Sequence, residues 1–280
     1  MRKIIRKIFI NNYKSIFYML LKSKSNYFNI KSIELELKKS SNLGKKNTKI
    51  TTKIDQIILP NILKNGKWDL FIIKFIKKNL KKKNFCFIDI GANIGLISKQ
   101  LLNEKLNINK FYCIEPEKEN FEILKKNLNY KNSVNLYNIA LTNEKSCSKK
   151  LFISSDNFGD HSLIKDFRGK SQWVKCLNIN YFFKKIGYEI NSYNLIYKSD
   201  TQGFDEQLIL SLKKNFLNKI KILILEITNF NYLKKNRVAF LNLIDNFKVI
   251  EDEQGNKLNQ NNILAKLKKK VPFNLLLSKN

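Results

Sequence analysis

The sequence predicts an α/β fold built on a parallel sheet, and three observations carry that prediction. The run Phe85-Cys86-Phe87-Ile88-Asp89-Ile90 is apolar almost throughout and opens directly into Gly91-Ala92-Asn93-Ile94-Gly95. That order reads as a strand buried on both faces, then a tight turn into a helix. A second apolar run, Asn109 to Ile114, ends in Glu115-Pro116. Beyond it, strand-like and helix-like segments alternate, as in sheets joined by right-handed crossovers.

Taken in order, residues 1–56 read as a basic N-terminal extension and 57–280 as the folded domain. Met1 to Ser23 alternates Arg and Lys with Ile, Phe, Met and Leu. This is the pattern of a basic amphipathic helix, suited to peripheral contact with an anionic membrane or to packing on the domain. Asn11, Asn12 and Lys14 interrupt any signal-peptide core, and no run reaches the roughly 18 apolar residues of a membrane span. A polar stretch including Lys38 to Asn47 reads as linker. Trp68, Phe71, Ile72, Phe75, Ile76 and Leu80 then recur at helical spacing, predicting a helix that caps the sheet ahead of its first strand.

After the glycine turn, a helix is expected to about Leu102, then the strand ending at Glu115. A helix over Glu117 to Leu128 follows, with Pro116 near its start, and then a strand over Val134 to Leu141. Between Thr142 and Tyr193 the pattern loosens. Leu151 to Ile153 and Trp173 to Leu177 are short strand candidates flanking Asn157-Phe158-Gly159-Asp160-His161-Ser162. An irregular stretch inside an α/β domain more often serves a site than a spacer, and this one can fold over the carboxyl edge of the sheet. Leu195 to Asp200 is the fourth strand and runs into Thr201-Gln202-Gly203-Phe204-Asp205; Lys221 to Ile227 is the fifth. A helix over Arg237 to Phe247 and a terminal strand pair, Phe247 to Glu251 with Phe273 to Ser278, complete the chain.

The glycine turn limits the ligand. Dinucleotide folds use G-x-G-x-x-G and rest a pyrophosphate on the helix N-terminus. Here the spacing is G-x-x-x-G and Asp89 precedes the first glycine. A fixed negative charge repels a pyrophosphate; it suits an ammonium and a sulfonium, the groups carried by S-adenosylmethionine (SAM). Glu115 lies about 20 residues past the turn, where ribose hydroxyls need an acceptor.

Asp200 and Glu226 end the fourth and fifth strands, so both face the same crevice. A hydroxyl acceptor needs a base to become a competent nucleophile. Asp200 is the first candidate, with a helix-capping role as the alternative. His161, the only histidine, is the second, against simple loop packing. Asp200 and Glu226 could instead share a divalent cation, but two carboxylates fall short of a ligand set and no metal is expected.

Composition bears on partners. The formal charge is +30 and the isoelectric point about 9.9, which alone points to nucleic acid or anionic membrane. Yet Arg2, Arg6, Arg168 and Arg237 are the only arginines, and arginine is the usual residue for bidentate phosphate recognition. Lys, Asn and Ile are abundant and Ala is scarce, as in A/T-rich coding sequence, so nucleic acid is not the expected partner. Cys86, Cys113, Cys147 and Cys176 form no C-x-x-C pair. Neither disulfide nor zinc is expected, which fits a cytoplasmic protein.

These residues together resemble the FkbM-type SAM-dependent methyltransferases. The resemblance is carried by Gly66-Lys67-Trp68-Asp69, by Phe87 to Gly95 (FIDIGANIG) and by Ile114-Glu115-Pro116. It continues through Asn138 to Leu141, Gly159 with Ser162, Lys198 to Asp205 (KSDTQGFD) and Leu225-Glu226-Ile227. It implies a class I, Rossmann-like methyltransferase fold: a mostly parallel seven-stranded sheet with an antiparallel last strand. It also implies methylation of a hydroxyl on a sugar, glycan or related metabolite. By that match Asp89, Gly91, Ala92, Asn93 and Gly95 line the methionine end of SAM, Glu115 the ribose, and Asn138 and Ala140 the adenine. Lys198, Asp200, Gln202 and Asp205 then border the active site. Asp69 and Asp205 depart from the family's more usual glutamate, and the extension lies outside the match. Two rivals stand beside this reading: an RNA or DNA methyltransferase, and a non-catalytic SAM-fold binding module. Against the first, Asp200-Thr201-Gln202-Gly203 occupies the place of the Asn/Asp-Pro-Pro-aromatic turn of amino-methylating enzymes.

Overall fold

A computed structural model describes residues 32–37, 48–80, 84–104, 106–128, 132–154, 157–167 and 169–280. The basic helix expected over Met1 to Ser23 and the linker over Lys38 to Asn47 lie outside the described residues. The first described elements are β1 (Ile33–Leu37) and β2 (Thr48–Thr52), paired antiparallel.

The predicted capping helix is two helices, α1 (Ile58–Asn65) and α2 (Leu70–Asn79). Gly66 ends α1 in the left-handed conformation and Asp69 enters α2 from it, so the spacing of apolar residues carries across a turn. The alternating core follows: β3 (Phe85–Ile90), α3 (Leu96–Asn103), β4 (Ile108–Ile114), α4 (Lys118–Leu128), β5 (Val134–Tyr137). The strand expected to run on to Leu141 breaks at Asn138. Ala140–Thr142 is a separate strand, β6, in a three-stranded sheet with β7 (Cys147–Phe152) and β8 (Ser171–Asn178). After α5 (Ile179–Ile190) come β9 (Asn194–Ser199), α6 (Asp205–Ser211), α7 (Lys214–Leu217) and β10 (Ile220–Ile227). The chain closes with α8 (Phe230–Lys235), α9 (Arg237–Ile244), β11 (Val249–Asp252), α10 (Gln260–Lys269) and β12 (Phe273–Ser278).

The main sheet has seven strands in the order β11-β12-β10-β9-β3-β4-β5. All run parallel except β12, which is antiparallel to both neighbours. This is the class I methyltransferase sheet that the resemblance implied. Alternate strand residues face opposite helical layers, the period of two that strand geometry imposes. Cys86, Ile88 and Ile90 pack with α5, α6 and α9 on one side, whereas Phe85 and Phe87 pack with α2, α3 and α4 on the other. β3 is buried on both faces, which is why its sequence is apolar rather than alternating.

The expected boundary at 56/57 falls between two segments that pack on the same body. Ile50 of β2 joins Ile58, Ile62, Ile94, Leu96 and Ile123 in one apolar cluster. The Asn127 amide donates to Thr51 O at 2.9 Å, and its Oδ1 accepts from Thr51 N at 2.8 Å. Strand order reverses between β3 and β9, and a crevice opens at their carboxyl ends, as it does in open α/β sheets generally.

Candidate active site

That crevice is a cavity of about 290 Å³, whose polar lining includes Asp69, Glu115, Lys198, Asp200, Gln202 and Glu226. The glycine turn makes its floor. Gly91 N and Ala92 N both donate to Ile114 O at 3.0 Å, tying the end of β3 to β4. Gly91 has φ +71°, and a Cβ there would stand 1.8 Å from Asp200 O, so only glycine lets β9 come this close. Gly95 serves packing instead: its Cβ would meet Leu124 and Leu128 of α4 at under 3 Å.

Backbone strain gathers here. Of the four described non-glycine residues at positive φ, Asp69, Asn93 and Gln202 line the cavity, and only Lys270 lies elsewhere. Such conformations persist where surrounding contacts over-determine them, commonly at functional sites.

At one end, Glu115 is held by backbone. Its Oε2 accepts from Asn93 N at 2.8 Å and its Oε1 from Glu117 N at 2.9 Å. Burial raises the carboxyl to about 7 against the pull of those two N–H groups. Asn138 braces the same corner from outside the lining, donating to Glu115 O and Pro116 O at 2.9 and 3.0 Å.

The other end is crowded with acids around one cation. Lys198 Nζ lies 3.0 Å from Asp89 Oδ1, 3.0 Å from Gly91 O and 3.9 Å from Asp200 Oδ2. Burial alone would lower the Lys198 ammonium, but Asp89 and Asp200 outweigh it and raise the group above the ordinary lysine range. Asp89 is fully buried, takes a 2.7 Å hydrogen bond from Ser98 Oγ, and sits beneath the floor rather than on the cavity wall. Gln202 Nε2 donates to Asp200 Oδ1 at 2.9 Å and to Glu226 Oε2 at 2.8 Å, one amide bridging two strand ends. Burial, then the charges of Asp200 and Asp205, push Glu226 far above the carboxylate range, so it keeps its proton at neutral pH. Burial and Asp200 likewise raise Asp69 to about 6. Asp205 lies behind the wall, accepting from Ser199 Oγ and Thr201 N, and burial raises it to about 6. Asp200 remains the open acid of the group, its side chain 36% exposed.

The segment between β7 and β8 covers the cavity. Asn93 Nδ2 and Asn120 Nδ2 both donate to Phe158 O, at 3.3 and 2.9 Å, and Ser162 Oγ donates to Gln202 O at 2.7 Å. His161 lines the cavity with its Nδ1 accepting from Ser154 N at 3.1 Å. With Nδ1 committed to an acceptor role, the proton of the neutral ring sits on Nε2, which has no partner. Burial lowers the imidazole to about 4, so at neutral pH His161 is a donor with no free basic nitrogen.

Of the residues named from sequence, Gly91, Ala92, Asn93, Glu115, Ala140, His161, Lys198, Asp200, Gln202 and Glu226 line the cavity. Asp89, Gly95, Asn138 and Asp205 stand behind it as supports. Asp69, Asn120 and Asn274 line it without having been read as site residues, and Phe158 lines it from the irregular stretch that was expected to fold over this edge. Asp69 carried a signal, its place in the Gly66-Lys67-Trp68-Asp69 motif. Asn274 carried none, because the last strand of the chain reaches the site only through its insertion beside β10.

Residues 89–258 match the family model for the methyltransferase FkbM domain. No curated protein matches the chain in sequence. Among solved structures, methyltransferase FkbM from Methylobacillus flagellatus KT is 11% identical over 78% of this chain and 52% of its own, with TM-score 0.40. TrmK of M. capricolum, in complex with S-adenosylhomocysteine, is 13% identical over 75% and 68%, with TM-score 0.33. The N-terminal domain of human METTL16 is 15% identical over 82% and 75%, with TM-score 0.32. At this level of similarity none of the three bears on substrate. The family match spans well over half of the chain, and it coincides with the glycine turn, the strand-end acids and the cover segment. The chain belongs to the FkbM methyltransferase domain family and is a SAM-dependent methyltransferase.

Proposed function

We propose that the chain transfers the methyl group of SAM to a hydroxyl of a sugar, glycan or related metabolite, in the cytoplasm. The observation that carries this reading is Asp200: an open carboxylate at a strand end, facing the cavity beside a protonated glutamic acid. The donor set fits the cofactor. Asn93 Oδ1 and Asn120 Oδ1 are buried acceptors without partners on the cavity wall, suited to a ligand rich in N–H and O–H groups. Glu115 would accept from ribose hydroxyls. The Gly91-Ala92-Asn93 turn, braced by Asp89 and Gly95, would hold the methionine end, and Asn138 and Ala140 would frame the adenine. When bound, SAM supplies an electrophilic methyl on a cationic sulfur.

The chain's own groups do the rest. Asp200 takes the proton that the acceptor hydroxyl loses on methylation. Lys198 and Gln202 hold that carboxylate in place, while Asp205 braces the turn behind it. Glu226, carrying its proton, and His161, through Nε2–H, donate to substrate oxygens instead of competing as bases. The free thiols of all four cysteines suit a reducing compartment.

Purified protein incubated with methyl-labelled SAM and a panel of sugars, oligosaccharides and RNA tests the reading. A methyl ether on a sugar hydroxyl is the expected product. Labelling confined to nucleobases would sink the hydroxyl assignment, and SAM binding without transfer to any hydroxyl would favour a non-catalytic module.

A further inference from the structure

The family-matched region starts at residue 89, yet a charged residue well ahead of it reaches the cavity wall. Lys53 is buried, with Nζ 4.5 Å from the centroid of the Phe158 ring. The same ammonium lies 3.0 Å from Glu117 Oε2 and 3.2 Å from Glu119 Oε2. Glu117 in turn caps the start of α4, accepting from Asn120 N at 2.7 Å and Glu119 N at 3.0 Å. Two residues on, buried Asp55 accepts from Leu59 N at 2.8 Å and ties the segment to the first turn of α1.

Phe158 is therefore gripped on two sides: ring by Lys53, carbonyl by Asn93 and Asn120. Its ring also stands edge-on to His161, with centroids 6.1 Å apart. The grip has a fixed base, because Thr51 is pinned to Asn127 through both backbone groups and Ile50 is fully buried. Burying an ammonium is costly unless it is paired. Here Glu117 and Glu119 supply that pairing.

We infer that Lys53 is a positioning residue for the methyl-donor cavity, acting by holding Phe158 and the cover segment against the glycine turn. This rests on the reading of that cavity as the SAM site. The segment ahead of the family-matched region thus braces a wall that the matched region supplies. A desolvated cation over an aromatic face supplies the attraction, and the two glutamates keep the cation in place.

The full chain carries the test. Lys53→Met keeps the apolar stem and removes the charge; Lys53→Arg keeps the charge. Amide exchange over residues 154–163 is followed without SAM, and SAM affinity is measured by calorimetry. Lys53→Met is expected to speed exchange across that segment and to raise the SAM Kd about tenfold, with kcat at saturating SAM within about twofold of the parent. Lys53→Arg restores both. Phe158→Leu weakens SAM binding to a similar degree, and the double variant Lys53→Met/Phe158→Leu is no worse than either single one, because both act through one contact. Additive losses, unchanged exchange, or unchanged affinity in Lys53→Met would each overturn the inference. Should Lys53→Met fail to fold, Phe158→Leu decides, and an unchanged Kd there overturns it. If SAM binds the parent protein without protecting residues 154–163, the cavity assignment itself fails and the inference falls with it. Faster exchange at unchanged affinity overturns the positioning alone.

Discussion

The two ends of the cavity hold their acids by opposite means. Glu115 is fixed by backbone N–H groups from the glycine turn and the start of α4, which act against burial and the charge of Glu117. Around Asp200, acids face acids: Asp69, Asp205 and Glu226 are each pushed up by burial and then by Asp200, with Lys198 as the shared counter-charge. A backbone-held carboxylate suits unchanging recognition. At the other end a half-exposed carboxylate faces the cavity among neighbours that are pushed toward their protonated forms, an arrangement that suits proton transfer. Recognition and reactivity are thus separated along one cavity.

The largest effect that separates the two ends is expected from Asp200→Asn. Methyl transfer should fall about 10²–10⁴-fold while the SAM Kd changes little. Thermal stability should hold or rise, since like-charge repulsion is relieved. Parallel rate, binding and melting measurements check this, and an unchanged rate removes Asp200 from the mechanism.

Lys198→Met comes next. It leaves Asp89 buried without its ion-pair partner, and breaking such a pair costs about 3–5 kcal/mol. Urea denaturation reads the loss. A cost below about 1 kcal/mol would mean that Asp89 finds another partner.

At the opposite end, Glu115→Gln should weaken SAM binding about 10- to 100-fold, the range for hydrogen bonds to a charged group, with kcat largely kept. Glu115 also links stability to pH. Its folded-state value of about 7 lies above the ordinary 4.5, so the folded state holds the proton more tightly. That contribution is complete below pH 4.5 and is lost as pH rises through about 7. His161 has the opposite sign: lowered from 6.5 to about 4, it contributes fully above pH 6.5 and loses that contribution as pH falls through 4. Between about pH 6.5 and 7.5 the carboxyl slope is therefore the one seen from this pair. Glu206, raised to about 7 by burial, adds to it, so Glu115→Gln should reduce the slope without abolishing it in denaturation curves taken without SAM.

The smallest effect falls to His161→Ala. Losing one hydrogen-bond donor should cost about tenfold or less in rate. The pH–rate profile of the parent should show no limb from His161 between pH 6 and 8, because the ring is neutral throughout that range. A limb there that vanishes in the variant would restore the histidine as a base.

Much of this was legible in the residues themselves, and the exceptions have physical causes. The buried run Phe85 to Ile90 and the turn Gly91 to Gly95 depend on short-range pattern, and both stand where they were read. The stretch over Val134 to Leu141 is continuously strand-like, but Asn138 turns its side chain to Glu115 O and Pro116 O and breaks the run, sending Ala140 to a second sheet. Helix α5 went unread because it lies inside the loosened region Thr142 to Tyr193, although Ile179, Phe182, Phe183, Ile186 and Ile190 share one buried face and Asn178 caps it. Residues 48–55 read as extension because few apolar residues mark them, whereas their attachment runs through Asn127 and Glu117, far along the chain.

The order of residues alone determined the parallel sheet, the glycine turn, the acids at the strand ends and the family, since each depends on local spacing and residue type. Tertiary structure decided which acids reach the cavity and which stand beneath it. It also decided which of them keep a proton, and that Lys53 closes on Phe158. Those outcomes depend on burial and on charges brought together from distant segments, and no local pattern encodes either.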